Sequence, residues 1–170
     1  MSVNLVEYQK TIFKHIDDFQ AKGDESLAVR FYAGGIYWAF DSADLLSVSQ
    51  MPKRPTVIPG SPDHIRGLTQ QDGDVLSIFD YGHIIHGDKT QFSKSNRVLV
   101  VHPALTVGVS LLVDKTYSLV PIESLIAASP KYTMPWSNTA YTHEDSTEVW
   151  HWINIKTLLT DPAFNTIRRA

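Results

Sequence analysis

The spacing of apolar positions changes character near residue 26. Before that point Leu5, Tyr8, Ile12, Ile16 and Phe19 recur at offsets of 3, 4, 4 and 3, which draws a stripe down one face of a helix. Asn4 is placed to cap it, Glu7 to close a capping box, and Gly23 to end it. The pattern predicts an amphipathic helix over residues 3–22, with residues 1–25 forming helix and linker. Such a helix either covers the body of the protein or docks a partner. From Ser26 the period is two. Leu27, Val29 and Phe31 alternate with Ala28, Arg30 and Tyr32, and Ile36, Trp38 and Phe40 alternate again beyond Gly34-Gly35, the signature of a β-hairpin.

Residues 41–46 read as a short amphipathic turn leading into 47–51. Pro52, Pro55, Pro59 and Pro62 then stop any regular element, so this stretch is a loop. Strand patterns resume at 65–69 and 75–79 around a turn containing Gly73, and 81–86 reads as a helical turn closed by Gly87. Further strands are predicted at 97–101, 107–114, 117–120 and 148–154, with helical turns at 122–128 and 156–159 and a long polar loop at 131–147. Many short strands without long central helices predict an all-β fold of barrels or a sandwich. One domain over 26–160 and a tail over 161–170 complete the division.

Composition narrows the function. The 170 residues contain no cysteine, which removes disulfides, thiolate zinc sites and cysteine nucleophiles. A net charge of −3 with scattered Lys and Arg argues against a nucleic-acid partner. The N-terminus lacks a signal-peptide pattern, and the most apolar stretch, 98–113, is broken by His102, Pro103, Thr106 and Ser110, short of what spans a bilayer. A cytoplasmic protein without membrane insertion is the expectation.

Candidate chemistry is thin. Seven histidines invite a metal reading, with His83 and His86 in one turn and His143 with Glu144 near His151, yet no H-E-x-x-H segment occurs. Ser61 lies between prolines, unlike a hydrolase elbow, and no glycine-rich phosphate loop is present. Asp72, Asp74 and Asp80 read as a solvated rim. Trp38, Trp150 and Trp152 read as core, whereas Trp136, in the long loop, reads as an exposed anchor for a partner. A small all-β metal- or ligand-binding enzyme using His83, His86 and Asp80 is therefore the alternative to a binding module.

One stretch points further. Residues 58–68 (IPGSPDHIRGL) followed by 73–81 (GDVLSIFDY) resemble the central signature of CheW-like domains. That signature reads approximately P-x-x-I-x-G-[VL]-x-N-x-R-G-x-[VI]-x-P-[VI]-x-D-L, and Pro62, Ile65, Gly67, Gly73 and Asp80 fall at its spacing. Residues 107–114 are similar to the family's V-G-[LI]-x-V-D strand and 152–159 to its closing L-[LI]-[DN]-x-x-x-L-L, so the resemblance covers about 26–159. It implies two small five-stranded SH3-like β-barrels sharing a core, with no active site, metal or cofactor. It implies scaffolding: one barrel docks the regulatory domain of a CheA-like histidine kinase, and the groove between barrels takes a chemoreceptor hairpin tip. Gly67 falls at the family's groove glycine and Leu45 near an apolar groove residue; Leu68, Gln70 and Asp72 complete the expected partner-binding set. Length, the N-terminal helix and the lead into 97–101 look more like PilI, the adaptor of the type IV pilus (twitching) system, than flagellar CheW. Departures stand beside the match: Gln70 replaces the usual asparagine, Asp72 an arginine and Ser77 a proline, and the glutamate that pairs with that arginine falls near Ser47.

Overall fold

The computed structural model describes residues 26–165; the helix expected over 3–22 lies outside the described residues. The chain opens with the hairpin of β1 (Leu27–Ala33) and β2 (Ile36–Asp41). Its two-residue turn places Gly34 at φ +61 and Gly35 at +77, the left-handed pair that matches the twist of the flanking strands. A 3-10 turn at Ser42–Asp44, capped by the Asp41 carboxylate accepting from Ala43 N, hands the chain to a second sheet.

That second sheet contains β3 (Leu45–Gln50), β4 (Ile65–Gln71), β5 (Asp74–Asp80), β6 (Arg97–Val101) and β7 (Val109–Val113), in the order β3-β6-β7-β5-β4. The chain then returns through β8 (Lys115–Thr116) and β9 (Val120–Pro121), both paired with β1. It finishes the first sheet with β10 (Ile126–Ala128), β11 (Thr139–His143) and β12 (Ser146–Trp152) in the order β10-β11-β12-β2-β1-β8. The two sheets curl into two intertwined SH3-like barrels. Three short helices join them: α1 (Tyr81–His86), α2 (Ile155–Thr160) and α3 (Pro162–Asn165).

The main core lies where the sheets face each other. Phe31, Trp38 and Phe40 of the hairpin meet Leu99, Leu111 and Val113 of the second sheet. Tyr81 stands between them, its ring edge-on to Phe31 at 5.5 Å and to Trp38 at 5.1 Å. β6 and β7 are buried on both faces, because Val98 and Leu112 fill a second cluster with Ile78 while their neighbours face the main core. Strands wrapped in this way read as unbroken apolar runs. The second barrel closes across its seam by side chains: Gln71 spans to Ser47 and Ser49 at 3.4 Å each, and Thr56 pairs with the free edge of β4 by two 2.8 Å bonds to Leu68. The first barrel encloses Arg30, 2% exposed, which donates to both Asp145 oxygens and to Ser118.

Four sequence expectations need correction. Residues 117–120 are not one strand; β8 ends before them and β9 begins only at Val120. The helical turn at 122–128 stops at Ser124 and gives way to β10. The loop at 131–147 contains β11, whose alternation is masked by polar residues on its open face. The tail at 161–170 is core at its start, since Phe164 is 5% exposed and stacks on Phe79 at 4.3 Å.

Candidate partner-binding surface

The two faces of β4 separate the residues expected to meet partners. Leu68 pairs with Ser77 and Gln70 with Val75, so these share the outward face of the sheet. Gly67 pairs with Ile78 on the opposite face. It is no open groove residue. A Cβ at Gly67 would stand 2.7 Å from the Thr56 carbonyl oxygen and 3.1 Å from Pro55, and φ is +134. The absent side chain therefore admits the protein's own proline-rich loop, where the sequence reading had a partner approaching. Leu45 lies on the other edge strand, half-buried against the main core. Asp72 is exposed at the β4–β5 turn with φ +51. Ser47 reaches Gln71 rather than Asp72, so an uncharged contact occupies the place of the family's ion pair.

Sequence reasoning missed two residues beside Leu68 and Asp72. Val75 is 59% and Val107 78% exposed. Their backbones run side by side, because Ser77 N donates to Gly108 O at 2.8 Å and a Cβ at Gly108 would stand 3.0 Å from the Val75 carbonyl oxygen. Residues 75–79 are apolar on both faces, so the pattern carried no sign of which valine stays uncovered. With Asp72 and Asp74 exposed alongside, this end of the second barrel shows an apolar centre with an acidic rim, the arrangement of protein interfaces.

The alternative chemistry does not find its three groups acting together. Asp80 is 0% exposed, and its carboxylate accepts from Arg66 at 2.7 Å, Thr90 N at 2.8 Å, Thr90 Oγ1 at 2.6 Å and His83 N at 3.1 Å. It caps α1 and anchors the β5–β6 connection; it is neither solvated rim nor general base. His83 keeps a buried Nδ1 without a partner. His86 faces Asp88 at 3.7 Å at the surface. Burial lowers the basicity of His64, and the charge of His83 adds to that effect. Among the described residues no group of three or more His, Cys, Asp or Glu is arranged to hold a metal.

An open cleft of about 720 Å³ lies between the Gly34-Gly35 hairpin turn and the connection after α1. His86, Lys89, Asp114 and Lys115 border it, and none of the five expected contact residues does. Trp136 is the clearest correction: it is 5% exposed, and its indole N–H donates to Tyr81 OH at 3.0 Å. Trp150 is buried as expected, 1% exposed, whereas Trp152 is half-buried against Tyr141. Among the described residues no helix is long and apolar enough to cross a membrane.

No curated protein matches the chain. Among solved structures the chain is similar to the scaffolding protein TtCheW from Thermoanaerobacter tengcongensis, with a TM-score of 0.65 and 20% identity over 82% of this chain and 95% of that one. At that identity the likeness speaks for the fold. The family model of the CheW-like domain matches residues 28–163. A match over that span, on two intertwined barrels of this order, means that the chain belongs to the CheW-like domain family.

Proposed function

We propose that this protein is a non-catalytic signalling adaptor that couples a chemoreceptor to a CheA-like histidine kinase, of the PilI kind that serves type IV pili. The observation that carries this reading is the uncovered pair Val75 and Val107 beside exposed Asp72 and Asp74. Val75 lies on β5 and Val107 in the bend that leads into β7, and burial of their water-exposed side chains against a partner contributes to affinity. In this reading the acidic end of the second barrel docks the kinase regulatory domain, with Leu68 and Gln70 beside it. The space between barrels, with Leu45 near it, takes the receptor hairpin tip. Asp80, which the alternative enzyme reading would use with His83 and His86, is fully engaged in holding the fold, which also favours surface over bond making.

The test is titration of the purified kinase regulatory domain and of a receptor hairpin fragment. Val107→Glu should leave the melting temperature unchanged and weaken kinase binding roughly tenfold or more, the scale of an interface anchor, with the receptor fragment bound as before. Equal kinase affinity for variant and wild type would remove this surface from the reading. Loss of twitching but not swimming in cells lacking the protein would support the pilus assignment, and the reverse would overturn it.

A further inference from the structure

His151 is 2% exposed on β12 and joins three parts of the molecule. Its Nδ1 stands 3.0 Å from the Tyr37 carbonyl oxygen on β2. A carbonyl only accepts, so Nδ1 carries the ring proton. Its Nε2 lies 3.1 Å from Lys131 N and 3.2 Å from Tyr132 N. Both backbone groups only donate, so Nε2 is bare. The neutral Nδ1–H tautomer satisfies all three contacts, and no other ionisation state does.

The two amides it holds open the strap formed by residues 129–138. Beyond them Met134 and Ser137 close a turn by reciprocal bonds of 2.8 and 2.9 Å, and Trp136 enters the core to reach Tyr81. The imidazole thus ties an exposed segment to the shared core. The ionisable groups facing it are Lys131 and Tyr132 from the strap; β2 offers the Tyr37 carbonyl and the Trp38 ring, and β11 offers Ala140. Lys131 opposes a second positive charge there.

We propose that His151 is a proton-operated latch: neutral, it clamps the 129–138 strap to β2 and β12, and protonated at Nε2 it releases the strap. A proton on Nε2 would point an N–H at two N–H donors and break both bonds from the strap, and a donor left unpaired on an imidazole that is 2% exposed is expensive. Burial pushes the imidazole below the ordinary histidine value, the hydrogen bond to Tyr37 opposes this, and Lys131 adds to the lowering. The sign follows. A depressed folded pKa means that the clamp is at full strength above the ordinary histidine pKa of about 6.5 and is lost as pH falls through the lowered value.

Amide hydrogen exchange resolved by residue, from about pH 7.5 to about pH 5, spans the ordinary histidine range. With intrinsic exchange rates corrected, Lys131 and Tyr132 should lose roughly tenfold or more in protection while β6 and β7 keep theirs, the pattern of local opening. His151→Gln, which keeps a donor and an acceptor but cannot ionise, should show flat protection over the same range. Strap protection independent of pH in the wild type overturns the latch, and so does simultaneous loss in β6 and β7. Nitrogen shifts of the imidazole in the wild type supply a second reading: an Nε2–H tautomer at neutral pH would also overturn it.

Discussion

Asp80 shows how one side chain can look catalytic in sequence and be structural in space. Both carboxylate oxygens accept two hydrogen bonds each, from Arg66 and Thr90 N on one and from Thr90 Oγ1 and His83 N on the other. Arg66 is 14% exposed on its side chain and Asp80 not at all, and the guanidinium also covers Phe92 at 4.2 Å. A buried pair of this type contributes little net stability compared with an apolar replacement, but removal of one partner leaves the other charged and desolvated. Asp80→Ala should therefore destabilise the fold by about 3–5 kcal/mol, read as a shift in the urea midpoint without change in slope. A loss below about 1 kcal/mol would mean that water reaches Arg66 and Thr90 in its place. His86 sits at the surface on the same short helix, and nothing joins it to Asp80 as a reacting pair.

The loop at 51–64 behaves as an element although it has no regular structure. Met51 packs on Ile78, Val98 and Leu112, and Thr56 pairs with Leu68 where β4 would otherwise end as an open edge, a liability in any exposed sheet. Gly67 is the position that permits this. Gly67→Asp should push Pro55 and Thr56 off the seam, given the 2.7 Å approach and the φ of +134, so limited proteolysis should cut the variant within 51–64 faster than the wild type while β6 and β7 stay resistant. Equal cleavage would show that the loop is not held there.

The sequence made the hairpin of β1 and β2 legible because Gly34-Gly35 fits one turn type and the alternation on either side is clean. β6 and β7 were legible as apolar runs. β11 was not, since Thr139, Tyr141, Thr142 and His143 present a polar strand in which Ala140 alone is buried. Phe164 was hidden for a different reason: a lone aromatic two residues after Pro162 has no period, and only the stack on Phe79 reveals its role. The family signature located β4 and β5 correctly, yet could not show that the chain's own Pro55 and Thr56 cover Gly67, a contact that only the folded loop reveals.

At the scale of the whole molecule the question is whether binding depends on charge that folding ignores. A net charge of −3 is spread thinly over the chain, but exposed Asp72 and Asp74 lead directly into exposed Val75 at the start of β5. Asp72 holds φ +51, a left-handed conformation that Asp and Asn adopt more readily than arginine does. Asp72→Asn is thus the cleaner probe, since it keeps the backbone preference and removes the charge. Its melting temperature should match the wild type, because an exposed charge contributes only about 0–1 kcal/mol to a fold. Affinity for the kinase regulatory domain should fall at low salt, mainly through slower association, because rim charge steers the encounter. Near 1 M salt, where the screening length is about 3 Å, the two affinities should converge. Asp72→Arg should weaken low-salt binding further, as a like charge against a basic partner does, with a small loss of stability from the backbone. Titrations of the three proteins at both salt levels decide the matter. Identical affinities at low salt would detach the acidic turn from the kinase and leave Val75 and Val107 to act without an electrostatic rim.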